Sequence, residues 1–292
     1  LEDKAITEIM VNGPKKVYIE KDGKTVLSDI IFENEQHLSF IIQKILSPTR
    51  RHVDEMNPFA DVSLPDGSRV NIIIPPLSLI GSVVTIRKFI KEFGTVEDLV
   101  RNDTLSKKMA DFLIASIRAK LNIIFSGATG AGKTTTLNIL SSYISPQERI
   151  ITIEDTAELR LNQEHVVSLE TRPSNIEGKG EISIRDLFKN CLRMRPGRII
   201  LGEIRSGEAL DMLQAMCSGH NGSLAVLHAS SPQDAISRIE TMILTTGINI
   251  PMWDIKKQIA SSLNIIIQQE QLTDGSRKIT RITEVRGLGN DE

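Results

Sequence analysis

The chain has 292 residues, 40% of them hydrophobic, which is enough for two soluble domains with buried cores. Its 35 Lys and Arg residues nearly balance its 37 Asp and Glu residues, so the formal net charge is -2 and no overall basic field favours a dedicated nucleic-acid or membrane-surface binder. Two cysteines are too few for a disulfide framework or a four-cysteine zinc site. Aromatic residues, at 4%, are too sparse to suggest a base-stacking surface.

The first 92 residues predict a small α+β domain. An Asp-Gly pair at residues 22 and 23 indicates a hairpin turn, because it readily adopts the positive φ that such turns need. Apolar residues from Leu38 to Leu46 recur at helical spacing, and the helix should end before Pro48. Alternating apolar segments predict the strands Val17–Glu20, Thr25–Leu27, Ala60–Leu64, Ser68–Ile74 and Val83–Lys88.

Residues 93–103 are polar and charged, and we interpret them as a linker to a second domain at residues 104–292. That domain alternates strands with helices, which predicts an α/β fold with a mainly parallel sheet covered on both faces. Capping boxes at Ser183 and Ser231 open two of its helices, and a hairpin turn lies at residues 273–275. Its predicted strands are Asn122–Ser126, Arg149–Ile153, Val166–Leu169, Arg198–Leu201 and Leu224–Leu227.

The strongest chemical signal is a phosphate loop between a predicted strand and a predicted helix. Its glycines let backbone N–H groups curl around phosphates, Lys133 reaches the β and γ phosphates, and the Thr134 hydroxyl ligates Mg²⁺. A glycine-rich turn without a ligand is the alternative, but all four fixed positions and both flanking elements agree with nucleotide binding. The predicted nucleotide contacts are Gly127, Ala128, Thr129, Gly130, Ala131, Gly132, Lys133, Thr134 and Thr135.

Two strand-end acids accompany this loop. Glu203 ends the run Ile199–Glu203 and is a candidate for the magnesium shell, where this longer equivalent of the usual Asp would bind through water. Glu154 lies at the end of the predicted strand Arg149–Ile153, and the two acids permit a division of labour between metal holder and general base for water. A helix cap or a solvated loop acid is the alternative for each. His228 follows a further strand and either senses the γ-phosphate or makes a structural hydrogen bond.

Arginines are the third group of candidates, because a planar, always-charged fork suits the charge that develops in phosphoryl transfer. Most surface arginines are solvated or paired in salt bridges, and that alternative applies to each one here. The candidates are Arg69, Arg87, Arg193, Arg195 and Arg205.

The residues from Asn122 to Val285 resemble the secretion ATPase superfamily of type II secretion, type IV pili, archaeal flagella and type IV secretion. Within it the chain is most similar to the CpaF/TadA branch, which assembles tight-adherence pili, although Gly197, Asn221 and Ser230 depart from the usual pattern of that branch. The likeness extends more weakly into the first domain. The motifs that carry it are the phosphate loop, the acidic box at 149–155, the Met-Arg-Pro at 194–196, the Gly-Glu-Ile-Arg at 202–205, the histidine box at 227–230 and the Asp-Gly-Ser-Arg at 274–277.

This resemblance implies a RecA-like domain that binds ATP and Mg²⁺, with an N-terminal domain closing over the nucleotide. It implies Glu154 as the catalytic glutamate, Glu203 in the magnesium shell, and Arg69 and Arg87 as charge stabilisers from the N-terminal domain. It further implies a homo-hexamer at the cytoplasmic face of the inner membrane, associated with the membrane through a platform protein. The chain begins at Leu1 and lacks the extra N-terminal region common in that branch, which favours a fragment of a longer protein.

The motifs and the resemblance leave three candidate functions. The first is a motor that hydrolyses ATP to power pilus assembly or secretion. The second is a non-hydrolysing scaffold that nucleotide merely orders, which both glutamates argue against. The third is a RecA-like motor on DNA, which the near-neutral charge and the scarce aromatic residues disfavour.

Overall fold

The computed structural model describes residues 3, 5–21, 23–49, 51–88, 94–172, 174 and 179–287. They divide into two compact units, the first within residues 1–92 together with residue 179, and the second within residues 93–174 and 180–292. In the described part of the chain, every helix is too short or too polar to cross a lipid bilayer.

The first unit is an antiparallel sheet with one helix on it. Its strands lie in the order β3-β2-β1-β6-β5-β4, and its helix buries Leu38, Ile42 and Leu46 against the sheet, as the helical spacing predicts. The first strand was not predicted from the sequence. The elements are β1 (Ile6–Asn12), β2 (Val17–Lys21), β3 (Lys24–Leu27), α1 (Glu35–Leu46), β4 (Phe59–Ser63), β5 (Arg69–Ile73) and β6 (Val83–Arg87).

The second unit alternates helices and strands. Helices α3, α6 and α8 were not predicted individually from the sequence. The elements are α2 (Val96–Arg101), α3 (Lys107–Arg118), β7 (Ile123–Ser126), α4 (Lys133–Ser141), β8 (Ile150–Glu154), β9 (Val166–Glu170), α5 (Ile184–Cys191), β10 (Arg198–Leu201), α6 (Glu208–Cys217), β11 (Leu224–Leu227), α7 (Pro232–Leu244), α8 (Met252–Ser262), β12 (Ile265–Gln271) and β13 (Arg277–Glu284).

The sheet of the second unit is parallel except at one edge. Its strands lie in the order β13-β12-β7-β11-β10-β8-β9, and only the pairing of β12 with β13 is antiparallel among the described residues. Successive residues of β7 enter opposite cores, with Ile123 and Phe125 on one face and Ile124 on the other. The predicted α/β fold with a mainly parallel, doubly covered sheet is therefore confirmed.

Two local predictions need correction. The predicted linker contains α2, a helix with a complete Thr95 capping box, and its Val96 and Leu99 are buried in a core of the second unit. Because this six-residue helix buries only two apolar side chains, its composition resembles that of a polar linker. At α7, Ser231 does cap the helix, but the Asp234 carboxylate accepts a hydrogen bond from Ser230 instead of completing a capping box.

Candidate functional site

The phosphate loop lies where the sequence predicts, between the buried strand β7 and the N-terminus of α4. Gly130 and Gly132 have φ values of +78° and +91°, which side-chain-bearing residues rarely adopt, so glycine is required for the chain to turn into the helix here. The helix begins at Lys133, and Thr134 and Thr135 lie in its first turn. Free backbone N–H groups at this helix N-terminus form a suitable site for phosphate oxygens.

Lys133 is buried at the end of this loop, with only 5% of its surface exposed. Its Nζ donates a 2.7 Å hydrogen bond to the Ala128 carbonyl oxygen and lies 3.3 Å from Nδ1 of His228. Burial lowers the pKa of Lys133 to about 8, although the Glu203 and Glu158 carboxylates act in the opposite direction. A buried ammonium group with so few partners favours a bound anion.

Glu203 follows β10 and lies in a network of charged side chains. Its Oε2 accepts a 2.7 Å hydrogen bond from Nη2 of Arg205, and its Oε1 lies 3.4 Å from Nε2 of His228. Nη1 of Arg205 also contacts Oδ2 of Asp155, at 2.9 Å, and so links the ends of β10 and β8. His228 therefore bridges Glu203 and Lys133, and the sequence-predicted residues of three strand ends meet in one network.

The charges of this network shift the pKa values of its members. Burial raises the pKa of the Glu203 carboxyl, but the Arg205 guanidinium outweighs this effect and the net pKa is below its ordinary value. Burial, followed by the nearby Lys133 charge, lowers the pKa of His228 although Glu203 opposes the shift. Near neutral pH the network thus holds an ionised Glu203 and a largely neutral imidazole.

Glu154, at the end of β8, is held differently. It is only 2% exposed, and its Oε1 accepts hydrogen bonds from the backbone N–H groups of Glu158 and Leu159, at 2.9 and 3.0 Å. Its side chain lies against Gly202, where an added Cβ would come within 2.7 Å of Glu154 Cγ. Gly202 therefore leaves the space that the buried carboxylate occupies, a role that the sequence motif alone did not reveal.

Of the remaining arginine candidates, Arg193 and Arg195 lie in the second unit between α5 and β10, and the other two lie in the first unit. Arg69 and Arg87 are register partners on the neighbouring strands β5 and β6. Nε of Arg87 lies 3.7 Å from Oε1 of Glu8. Their contribution to a nucleotide site stays a prediction.

One contact to the phosphate loop was not expected. Nε of Arg277 donates a 2.9 Å hydrogen bond to the Gly130 carbonyl oxygen. Arg277 belongs to the Asp-Gly-Ser-Arg motif at 274–277, which is part of the family resemblance. The motif alone did not indicate a role for this arginine. In the described part of the chain no group of three or more His, Cys, Asp or Glu side chains is arranged to hold a metal ion.

The similarity of this chain to known proteins shows its family. The T2SSE family model, described as Type II/IV secretion system protein, matches residues 1–284. The chain belongs to this family. It is 31% identical to the type IV secretion system protein VirB11 of Bartonella henselae over 97% of this chain and 89% of that protein. It is 33% identical to the type IV secretion system protein PtlH of Bordetella pertussis, over 91% of this chain and 86% of that protein.

An uncharacterized protein of Methanocaldococcus jannaschii is 41% identical over 77% of this chain, which spans only 32% of the length of that relative. Among solved structures, the VirB11 ATPase of Brucella suis in complex with sulphate is 26% identical, with a TM-score of 0.55 over 97% of this chain and 90% of that one. The pilus retraction motor PilT with bound ADP, at 20% identity, shares the fold with a TM-score of 0.73 over 98% and 81% of the two chains. The predicted superfamily is confirmed, and so is its RecA-like fold with an N-terminal domain.

Proposed function

We propose that this secretion-family protein is a Mg²⁺-dependent ATPase whose turnover drives a membrane-associated secretion or pilus machine. One observation carries the proposal: the buried Lys133 of the phosphate loop connects through His228 to the ionised strand-end carboxylate of Glu203. A helix N-terminus, a lysine and an acid at neighbouring strand ends are the parts that phosphoryl transfer from a nucleotide requires.

Binding of ATP would place its phosphates on the loop N–H groups and on Lys133, whose Nζ would exchange the Ala128 carbonyl for phosphate oxygens. The donors present fit Mg²⁺, which is commonly held by one or two carboxylates together with substrate phosphates. Thr134 and Glu203 would hold the ion, Glu203 through water, and the ion would neutralise charge on the phosphates. Glu203 is suited to this because Arg205 keeps its carboxyl ionised.

Glu154 is proposed as the general base for the attacking water. Its Oε1 is fixed by two backbone donors, which would hold the carboxylate in one position during the reaction. Arg205, and Arg69 and Arg87 from the first unit, are proposed to stabilise the charge that develops on the transferred phosphoryl group. His228 would report the state of the γ-phosphate, since it contacts both Lys133 and Glu203.

The wider assembly is part of the same proposal. We propose residues 1–92 as a nucleotide lid, residues 104–292 as the engine, and a homo-hexamer as the working form. Its partner would be an inner-membrane platform protein, so that the chain works at the cytoplasmic face of that membrane and needs no dedicated nucleic-acid surface. Relatives named as type IV secretion proteins support the secretion role, and the tight-adherence pilus branch is proposed on the motifs alone.

Steady-state ATP hydrolysis with Mg²⁺ tests the proposal. Lys133→Ala and Glu203→Gln should each reduce turnover by about 10²-fold or more, because each removes charge from the phosphoryl-transfer site. Glu170→Gln is the matched control, since Glu170 is the exposed strand-end register partner of Glu154 on β9. Wild-type turnover in both site variants would refute the mechanism. ATP binding without turnover in the presence of a membrane partner would instead support a scaffold, and turnover stimulated by DNA would support a DNA motor.

A further inference from the structure

The antiparallel hairpin at the sheet edge, β12–β13, lies against the phosphate loop. Strand β12 pairs in parallel with β7, and Gln268 is the register partner of Ser126, the last residue before the loop. The pairing of β12 with β13 is irregular between Gln268 and Gln269. Both glutamines are buried, at 1% and 2% exposure.

Two glycines of the phosphate loop lie against this hairpin. A Cβ on Gly127 would come within 2.1 Å of the Gln269 carbonyl oxygen, a backbone atom that cannot move aside. A Cβ on Gly132 would lie 3.0 Å from Nε2 of Gln269 and 3.2 Å from Cδ of Arg277. The loop is therefore packed against the hairpin on the side of these two glycines, and its shape depends on contacts as well as on its own φ values.

Arg277 adds a directed bond to this packing, and its own backbone is well anchored. Its Nε donates to the Gly130 carbonyl oxygen at 2.9 Å. Two residues further along β13, the Ile279 N–H donates a 2.7 Å hydrogen bond to the carbonyl oxygen of buried Thr104. On the other side, the turn before β13 is closed by a 2.8 Å hydrogen bond from Leu272 N to Ser276 O.

We propose that Arg277 is a positioning residue of the nucleotide site: by bonding the Gly130 carbonyl, it keeps the loop N–H groups directed at the phosphates. Because this bond engages the Gly130 carbonyl oxygen, the neighbouring N–H groups would stay available for the anion. This rests on the proposed nucleotide binding and extends it, since it makes the C-terminal hairpin part of the site. Arg277 acts through the loop and is not assigned to the reacting atoms.

Affinity measurements on the whole chain test the proposal, with ATP, ADP and inorganic triphosphate as probes. Arg277→Ala should weaken binding of all three by about tenfold, the effect of losing one charge-assisted hydrogen bond. Arg277→Lys keeps the charge but replaces the donor Nε by a carbon, so it should also bind more weakly than wild type. Arg281→Ala is the matched control, because Arg281 is an exposed arginine on the same strand and its side chain makes no hydrogen bond or ion pair with any described residue.

Arg277 is exposed, so the melting temperatures of the nucleotide-free variants should match wild type, whereas the rise in melting temperature on adding ATP should shrink. Wild-type affinity in Arg277→Lys together with weak binding in Arg277→Ala would overturn the positioning role in favour of simple charge attraction. Unchanged affinity in Arg277→Ala would overturn it as well. A wild-type protein that binds neither ATP nor triphosphate would overturn the proposed function itself, and this proposal with it.

Discussion

Glu154 ends β8 and Glu203 follows the neighbouring parallel strand β10, yet the two carboxylates are held in opposite ways. Glu154 is 2% exposed and accepts from two backbone N–H groups, while the Glu203 side chain is 24% exposed and contacts the charged Arg205 and the His228 ring. Backbone donors fix a carboxylate, whereas long side chains can exchange partners when an ion or nucleotide arrives. The fixed carboxylate of Glu154 is therefore suited to a step of the reaction. Glu203 is suited to a binding step in which its side-chain partners change.

The largest expected effect separates these two roles. Glu154→Gln keeps an oxygen that can accept from Glu158 and Leu159 but loses the base, so turnover should fall by about 10²–10⁴-fold with ATP affinity near wild type. Glu203→Gln should in addition raise the Mg²⁺ concentration needed for half-maximal ATP binding. Titrations with Mg²⁺ and single-turnover hydrolysis would measure both. Equal losses with the same Mg²⁺ dependence in the two variants would refute the division of roles.

A second prediction moves Glu154 without altering it. In Gly202→Ala the new Cβ would meet Glu154 Cγ at 2.7 Å, so the carboxylate must shift from its backbone donors. Turnover should fall by about tenfold or more, because small misplacements of a catalytic group are costly, while ATP affinity is retained.

The matched control for this variant is Gly287→Ala, where nothing lies within 4 Å of an added Cβ. Hydrolysis by Gly202→Ala at the wild-type rate would show that the fixed position of Glu154 does not matter. The Gly202→Ala variant thus tests whether the packed position of Glu154 matters, without changing the carboxylate itself.

The Arg205→Gln variant tests the effect of the charged side chains around Glu203. Without the guanidinium, Glu203 loses the strongest influence that lowers its pKa, and burial is opposed only by the weaker effects of His228 and Lys133, so the pKa rises. A lowered pKa keeps Glu203 ionised as the pH falls, so its loss should move the acidic limb of the pH–rate profile to higher pH. Arg286→Gln, which breaks an exposed pair with Glu284, should leave that limb in place. An unmoved acidic limb in Arg205→Gln would contradict the role of Glu203.

The sequence identified the parts of this site that lie close together along the chain. The phosphate loop could be predicted because its glycines, Lys133 and Thr134 are consecutive, and each strand-end acid follows an apolar run that is buried on both faces. Parallel strands then bring their carboxyl ends to one edge of the sheet, which places Glu154, Glu203 and His228 at the same edge as the loop.

Contacts between distant segments could not be predicted in this way. Arg277 meets Gly130 across 147 positions of sequence, and only the register of β12 beside β7 brings them together. The fit of Gly202 against Glu154 likewise depends on the pairing of β10 with β8. Helix α2 was missed for a different reason: it is stabilised by burying Val96 and Leu99 in a tertiary core, which local composition does not record.

The smallest expected effect concerns Lys133, which lies beside the pair formed by His228 and Glu203. Its pKa is lowered to about 8 by burial, from an ordinary value of 10.5, so holding the ammonium charge costs folding free energy. Lys133→Met should therefore stabilise the nucleotide-free protein by about 1–2 kcal/mol at pH 7 while abolishing ATP binding. Thermal unfolding of both proteins without nucleotide would measure the difference.

The buried charge of Lys133 predicts how the difference in unfolding free energy between Lys133→Met and wild type changes with pH. Below about pH 8 Lys133 is protonated in both the folded and the unfolded protein, so the full cost is present. Between about pH 8 and 10.5 the folded protein loses the proton first, and the advantage of Lys133→Met should shrink towards zero. Lys108→Met removes an exposed lysine and should show no such trend. An advantage that stays constant across this range would mean that methionine packing, and not the buried charge, stabilises the variant.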